Sequence, residues 1–279
     1  MAKINLLLAI KVVAACAILA RPGGVFSQNF PPPGCSAQSG PVKTPVIELY
    51  TSEGCSSCPP ADQWLSAFKN APPKPGAPSP VVQAFHVGYW DYIGWVDRFA
   101  APAHTMRQRQ IAATNRLSSI YTPQAVLDGR DWRDWHRSDT TRIEAARELP
   151  QVNISLRQVA VDQFEATVTP VEAPTPAGGA GSENRSSNWS AYWSAYWTLT
   201  EDGHSSKVKS GENAGEFLKH DFVVRQYTLA GEFPRNAPAP QKLTWRSIAA
   251  TPGHTRRVNL VVFEPKSGKT LQAISLQCG

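Results

Sequence analysis

Two cysteines three positions apart are the residues of this sequence best placed for chemistry. Cys55 and Cys58 lie between a predicted strand (45–50) and a predicted helix (57–69). The unpaired amides and the dipole of a helix N-terminus favour a thiolate there. A thiolate at Cys55 can attack a substrate disulfide, and Cys58 can then resolve the mixed disulfide. The pattern predicts thiol–disulfide exchange, with an inert structural disulfide as the competing interpretation.

A metal site that uses the same cysteines is the alternative chemistry. His86 ends the second predicted strand, and parallel strands would bring it to the sheet edge that carries the cysteines. Two thiolates and an imidazole suit Cu(I). The CxxC spacing and the presence of only two Met count against copper, and no second CxxC or HxxxH exists for zinc. We expect no resident cofactor or metal, with Cys55, Cys58 and His86 as the copper-binding or metal-delivery alternative.

The N-terminus predicts export. Lys3 precedes an apolar run, so residues 1–27 are interpreted as a signal peptide. The run Val13-Ala14-Ala15-Cys16 also fits a lipobox, which leaves a lipid anchor at Cys16 as an alternative. No later stretch approaches 18 consecutive apolar residues, so no transmembrane helix is predicted. The expected location is the periplasm or the extracellular space, where disulfides persist.

The charge of the chain does not favour a nucleic-acid partner. The sequence has 28 Lys+Arg against 22 Asp+Glu, a formal net charge of +6. Without Lys3, Lys11 and Arg21 of the export segment, 25 minus 22 leaves +3. No basic run or stripe occurs in the remainder, so we predict no nucleic-acid binding.

The order of elements changes near Pro150. Residues 28–43 are rich in Pro, Gly and Ser and predict a linker. Residues 44–150 alternate strands with helices, the last helix beginning at Ser138 or Asp139, whereas 151–279 contain short alternating strands separated by turns. The predicted fold class is an α/β domain over 44–150 followed by an all-β, sandwich-like domain over 151–279.

Four segments resemble a family of exported bacterial proteins, a domain of unknown function in the thioredoxin-like superfamily. They are 48–62 (ELYTSEGCSSCPPAD), 86–95 (HVGYWDYIGW), 121–124 (YTPQ), and 211–215 (GENAG) together with 223–225. The resemblance covers most of the chain beyond the export segment. It implies that the α/β domain is thioredoxin-like, and it supplies no activity.

The thioredoxin-like resemblance implies further site residues. Pro123 precedes a short predicted strand, 124–127, and in such folds this proline is cis and packs opposite the CxxC; an ordinary trans proline at the start of a strand is the alternative. The backbone of Thr122 would then pair with an extended substrate peptide. Glu48 corresponds to a buried acid that moves protons for the resolving cysteine, with a raised pKa; an exposed edge glutamate is the alternative. Trp90 and Asp91 are not implied by the resemblance. They follow the predicted strand that ends at His86, so parallel strands would bring them near the CxxC as part of a lid or a substrate groove, or else as a cover for the core.

The remaining cysteines predict a structural bridge. Cys35 lies in the predicted linker and Cys278 near the end of the sequence. Because the ends of a domain are often close together, we predict a disulfide between them, with a free thiol at either position as the alternative.

These observations favour an exported thiol–disulfide oxidoreductase. Its substrate would be a protein or small-molecule thiol or disulfide, and it would need a redox partner. A membrane contact is expected only if Cys16 is lipidated. The alternatives are the copper site above and a non-catalytic binding module in which the disulfide is structural.

Overall fold

The computed structural model of the chain describes residues 35–72, 77–137, 148–171, 191–237 and 239–278. The predicted signal peptide, the first part of the predicted linker and most of the helix predicted after Ser138 lie outside these residues. Two α-helices occur within the described ranges, α1 (Pro59–Ser66) and α2 (Pro102–Thr114). No helix among the described residues is long and apolar enough to cross a membrane.

Strands dominate the described residues, with 42% in strand and 15% in helix. In chain order they are β1 (Ser36–Gln38), β2 (Val46–Thr51), β3 (Val81–His86), β4 (Gln124–Leu127), β5 (Arg130–Asp131), β6 (Val152–Ala160), β7 (Gln163–Pro170), β8 (Tyr192–Glu201), β9 (His204–Lys207), β10 (Phe217–His220), β11 (Val223–Pro234), β12 (Gln241–Arg246), β13 (Arg256–Phe263) and β14 (Thr270–Leu276).

One sheet of eight strands runs through both halves of the sequence. Its order is β14-β13-β8-β11-β3-β2-β4-β5. Strand β11 joins the halves, because it pairs antiparallel with β8 and parallel with β3, where Val223 lies opposite Ala84. The predicted fold class, an α/β thioredoxin-like domain followed by a separate β domain, is therefore wrong. The sequence indicated where most strands lie, but it did not indicate which strands are neighbours in the sheet, because that depends on long-range pairing.

A second sheet covers part of the first. Its order is β1-β6-β7-β12. Buried residues alternate with exposed ones along β6 and with half-buried ones along β7, because one face of the sheet packs inward. The shared core brings Ile154 and Leu156 of β6 against Trp197 of β8 and Leu260 of β13. In contrast, β8 is buried along nearly its whole length, which explains its continuous run of aromatic and small residues.

The first and last described strands are tied by a disulfide. Cys35 and Cys278 are bonded, with their Cα atoms 5.5 Å apart, as predicted. Cys35 precedes β1, within the stretch interpreted as a linker, and β1 pairs with β6. The bridge closes a sequence separation of 243 residues.

Candidate functional site

The second disulfide lies at the carboxyl end of a buried central strand. Cys55 and Cys58 are bonded, with their Cα atoms 5.4 Å apart, in the turn that follows β2. Both side chains are buried, at 1% and 0% exposure, whereas the intervening Ser56 and Ser57 are exposed. The disulfide thus lies just beneath a surface formed by two serines.

Helix α1 begins later than the sequence indicates, and this changes the electrostatics of the site. Cys58, rather than Cys55, is the N-cap residue. Pro59 and Pro60 have no amide hydrogen, and the amides of Ala61 and Asp62 both donate to the Cys58 carbonyl, at 2.9 and 3.1 Å. The expectation that free helix amides stabilise a Cys55 thiolate is therefore not met by residues 59–62.

A side-chain hydroxyl is available to Cys55 instead. The Oγ atom of Ser57 lies 3.4 Å from the Cys55 Sγ atom. In the reduced protein this hydroxyl can donate to a thiolate, and hydrogen bonding to the charged form lowers a pKa.

A loop from the second half of the chain holds the disulfide turn. The Asn213 Nδ2 atom donates to the carbonyls of Glu53, at 2.9 Å, and Cys55, at 3.0 Å. Next to it, the Glu212 carboxylate accepts from the Ser56 amide at 3.0 Å, and this bond holds the pKa of Glu212 below its usual value. The GENAG motif carried the family resemblance, but nothing in the sequence indicated that it contacts the CxxC.

The predicted substrate-side residues gather beside the same turn. The Thr122–Pro123 bond is cis, as predicted. Gln124 pairs with Tyr50 at the end of β2, so Thr122 and Pro123 lie at the sheet edge where the CxxC turn begins. The Trp90 Nε1 atom donates to Thr122 Oγ1 at 2.8 Å.

Trp90 also contacts the CxxC turn itself. A Cβ atom added to Gly54 would lie 3.0 Å from the Trp90 Cβ atom, so glycine permits this close approach. Asp91 stabilises the loop after Trp90, because its Oδ1 atom accepts a hydrogen bond from the Asp97 amide at 3.2 Å. Burial raises the pKa of Asp91.

Glu48 is buried, so the alternative of an exposed edge residue is wrong. Its carboxylate accepts from Arg107 at 2.8 Å, Tyr50 at 2.6 Å and Tyr196 at 2.8 Å. Burial by itself raises the pKa of Glu48, but the Arg107 guanidinium and the two hydroxyls outweigh it, and the pKa lies below its usual value. The raised pKa expected of a proton-transfer acid is not found.

His86 ends β3 at the same sheet edge, opposite Thr51 in a parallel pair. It is fully buried, and its Nδ1 atom lies 2.7 Å from Asp97 Oδ2. Burial lowers the pKa of His86, but the carboxylates of Asp97, Asp62 and Glu53 together outweigh it, so the pKa is raised overall. Among the described residues no group of three or more His, Cys, Asp and Glu is arranged to hold a metal ion. The structure thus does not assemble Cys55, Cys58 and His86 into a metal site.

Two further titratable residues near the CxxC turn, Asp62 and His220, were not identified from the sequence. Asp62 lies four residues after Cys58, is 6% exposed, and accepts from Thr51 Oγ1 at 3.1 Å. The His220 ring lies between two carboxylates, with Nε2 3.3 Å from Glu53 Oε1 and Nδ1 3.8 Å from Asp62 Oδ2. Helical spacing from Cys58 could have indicated Asp62, whereas His220 comes from a distant strand.

The fold and site define a β-rich protein with a buried disulfide at a strand-to-helix junction. Its sequence matches the family described as "Protein of unknown function (DUF1223)" over residues 46–263, and the chain belongs to that family. This confirms the predicted membership of a family of unknown function. The comparison with curated proteins gave no match.

Two solved structures share the fold. A protein from Agrobacterium tumefaciens is 22% identical, with a TM-score of 0.56, over 85% of this chain and 96% of that chain. HBP35 of Porphyromonas gingivalis is 10% identical, with a TM-score of 0.50, over 85% of this chain and 76% of that chain. At these identities the likeness concerns the fold alone.

Proposed function

We propose that this protein is an exported thiol–disulfide oxidoreductase whose redox couple is Cys55–Cys58. The observation that carries the proposal is the Cys55–Cys58 disulfide in the turn that joins β2 to α1. The Ser57 hydroxyl 3.4 Å from Cys55 supports Cys55 as the nucleophile. The predicted signal peptide and the second disulfide, Cys35–Cys278, support an oxidising compartment.

The reaction is a two-step exchange with a substrate disulfide. In the reduced protein the Cys55 thiolate attacks one sulfur, the substrate S–S bond breaks, and one substrate thiol leaves with a proton. The Cys58 thiol then loses its proton and attacks Cys55, which closes the Cys55–Cys58 bond and releases the second substrate thiol. The protein loses two electrons and the substrate gains them, and a thiol-bearing redox partner restores the dithiol.

The residues at the neighbouring sheet edge fit a polypeptide substrate. Thr122 lies two residues before β4, and Trp90 links it to the glycine before Cys55. A substrate backbone would lie along Thr122 and Pro123, with Trp90 and Asp91 beside it. As part of the same proposal, we relate the arrangement of the CxxC turn and the cis-proline to that of the thioredoxin-like superfamily. This likeness concerns the site and not the order of the strands.

A non-catalytic role has one observation in its favour. Both sulfurs are almost fully buried, and an attacking thiolate must reach one of them. A structural disulfide that fixes the turn under Ser56 and Ser57 would have this burial.

Equilibration with a redox buffer separates the two functions. The full chain is incubated in dithiothreitol and glutathione mixtures of graded potential, and the Cys55–Cys58 state is read by alkylation and mass spectrometry. A Cys58→Ser variant is the control. A potential well above about −300 mV, with rapid thiol exchange at Cys55, supports the oxidoreductase. A lower potential with an inert thiol contradicts it and favours the structural disulfide.

A further inference from the structure

The second step of the proposed reaction needs a group that accepts the Cys58 proton. Cys58 is fully buried, and only the thiolate is a nucleophile. Glu48 is poorly suited to this task, because Arg107 holds its carboxylate in a buried ion pair and its pKa is lowered.

Asp62 is the buried carboxyl group nearest to Cys58 along α1. The two residues are four positions apart, so they share a helix face, and the Asp62 amide donates to the Cys58 carbonyl at 3.1 Å. Thr51 of β2 donates to one carboxylate oxygen. No ion pair with Lys or Arg holds Asp62 among the described residues, unlike Glu48.

The surroundings of Asp62 favour proton uptake. Burial raises its pKa, and although His220, His86 and the Thr51 hydroxyl lower it, the raised pKa remains. The titratable groups that face it are His220 of β10, His86 of β3, and Asp97 in the loop before α2, which raises the pKa further. Glu53, in the turn before Cys55, pairs with the other side of the His220 ring. A carboxyl group whose pKa is raised binds a proton more readily than an ordinary aspartate does, and it can return that proton afterwards.

An open cleft gives this group access to solvent. It has a volume of about 550 Å³ and is lined by Asp62 and His220 together with Ser56, Glu212 and Glu216. The ring nitrogens of His220 are buried and have no hydrogen-bond partner of normal geometry. The proton can therefore leave on the side of the cleft without crossing the core.

We propose that Asp62, with His220 beside it, accepts the proton of Cys58 during resolution of the mixed disulfide. The inference rests on the proposed function. The Cys58 S–H bond breaks, its proton passes to the Asp62 carboxylate, and the Cys58 thiolate forms the new bond to Cys55. The leaving substrate sulfur takes the bonding electron pair and is protonated from solvent.

Stopped-flow reaction of the reduced full chain with 5,5′-dithiobis(2-nitrobenzoate) tests this step. Attack by Cys55 releases one chromophore, and resolution by Cys58 releases the second; Cys58→Ser shows the first phase only. In Asp62→Asn we expect a second phase at least tenfold slower below pH 7, approaching the wild-type rate above about pH 9, where the thiolate forms without a base. Glu216→Gln, which removes an exposed carboxylate of the same cleft, should leave both phases unchanged.

Two outcomes would overturn different claims. A wild-type chain without the first phase overturns the proposed function and this inference with it. Both phases in the wild type, with a second phase in Asp62→Asn that is unchanged or slowed equally at every pH, overturn the inference alone. If Asp62→Asn fails to fold, ¹³C NMR titration of the Asp62 carboxyl in the wild type decides: its pKa must change between the disulfide and dithiol states, and an unchanged pKa overturns the inference.

Discussion

Glu212 accepts a hydrogen bond from the amide of Ser56 across 156 residues of sequence. The contact places a carboxylate next to the turn that carries the disulfide, and its neighbour Asn213 holds the same turn through two backbone carbonyls. The second half of the chain therefore supplies part of the environment of Cys55.

The charge of Glu212 should make Cys55 less acidic. A nearby negative charge disfavours a thiolate, so Glu212→Gln should lower the thiol pKa of Cys55. We expect iodoacetamide to alkylate the reduced variant about two- to fivefold faster than the wild type at pH 7 and low salt, and the difference should shrink in 1 M salt. Glu216→Gln is the matched control. Equal rates in variant and wild type would show that the carboxylate does not act on the thiol.

The His86–Asp97 pair should make stability depend on pH. Asp97 raises the pKa of His86, and the pKa of Asp97 is lowered, since His86 and backbone amides outweigh its burial. The stabilisation of the folded state by protonated His86 is fully present below the pKa of about 6.5 that His86 has in the unfolded chain, and it is lost as the pH rises through the raised pKa of the folded state. The Asp97 contribution is present above about pH 3.9 and is lost as the pH falls through its lowered folded pKa.

Asp97→Asn should therefore lower the free energy of unfolding most strongly between about pH 4 and 6.5. We expect a loss of about 3 kcal/mol in the free energy of unfolding there, because a buried charge loses its partner, and a smaller loss at pH 9. Urea denaturation at several pH values measures it. Glu165→Gln, which breaks the exposed pair with Arg157, should cost about 1 kcal/mol or less. A loss for Asp97→Asn that does not vary with pH would contradict the assignment.

Gly129 should resist substitution because it fits between two turns. Its φ is +79°, and a Cβ atom would meet the Gly268 carbonyl oxygen. Gly129→Ala should therefore lower the free energy of unfolding by about 2 kcal/mol or more, through both the left-handed backbone and the collision. Thermal unfolding measures the change. Gly40→Ala has open space around it and serves as control; equal effects of the two variants would rule out the contact.

The sequence by itself determined those features that depend only on residues close together along the chain. Cys55 and Cys58 form a disulfide after β2, because three positions along a turn bring their Cα atoms within bonding reach. The strand at 124–127 and the Asp128-Gly129 turn after it also follow from local patterns.

The tertiary structure decided the sheet and the electrostatics. Hydrophobic periodicity shows that a segment is a strand but not which strand it pairs with, so the insertion of β11 beside β3 could not be predicted. The pKa of Glu48 depends on Arg107 and Tyr196, which lie 59 and 148 residues away in the chain. The pKa of Asp62 is raised by burial and lowered by His220, and only the pairing of distant segments brings His220 to 3.8 Å from its carboxylate, because charges act over distances in space and not along the sequence.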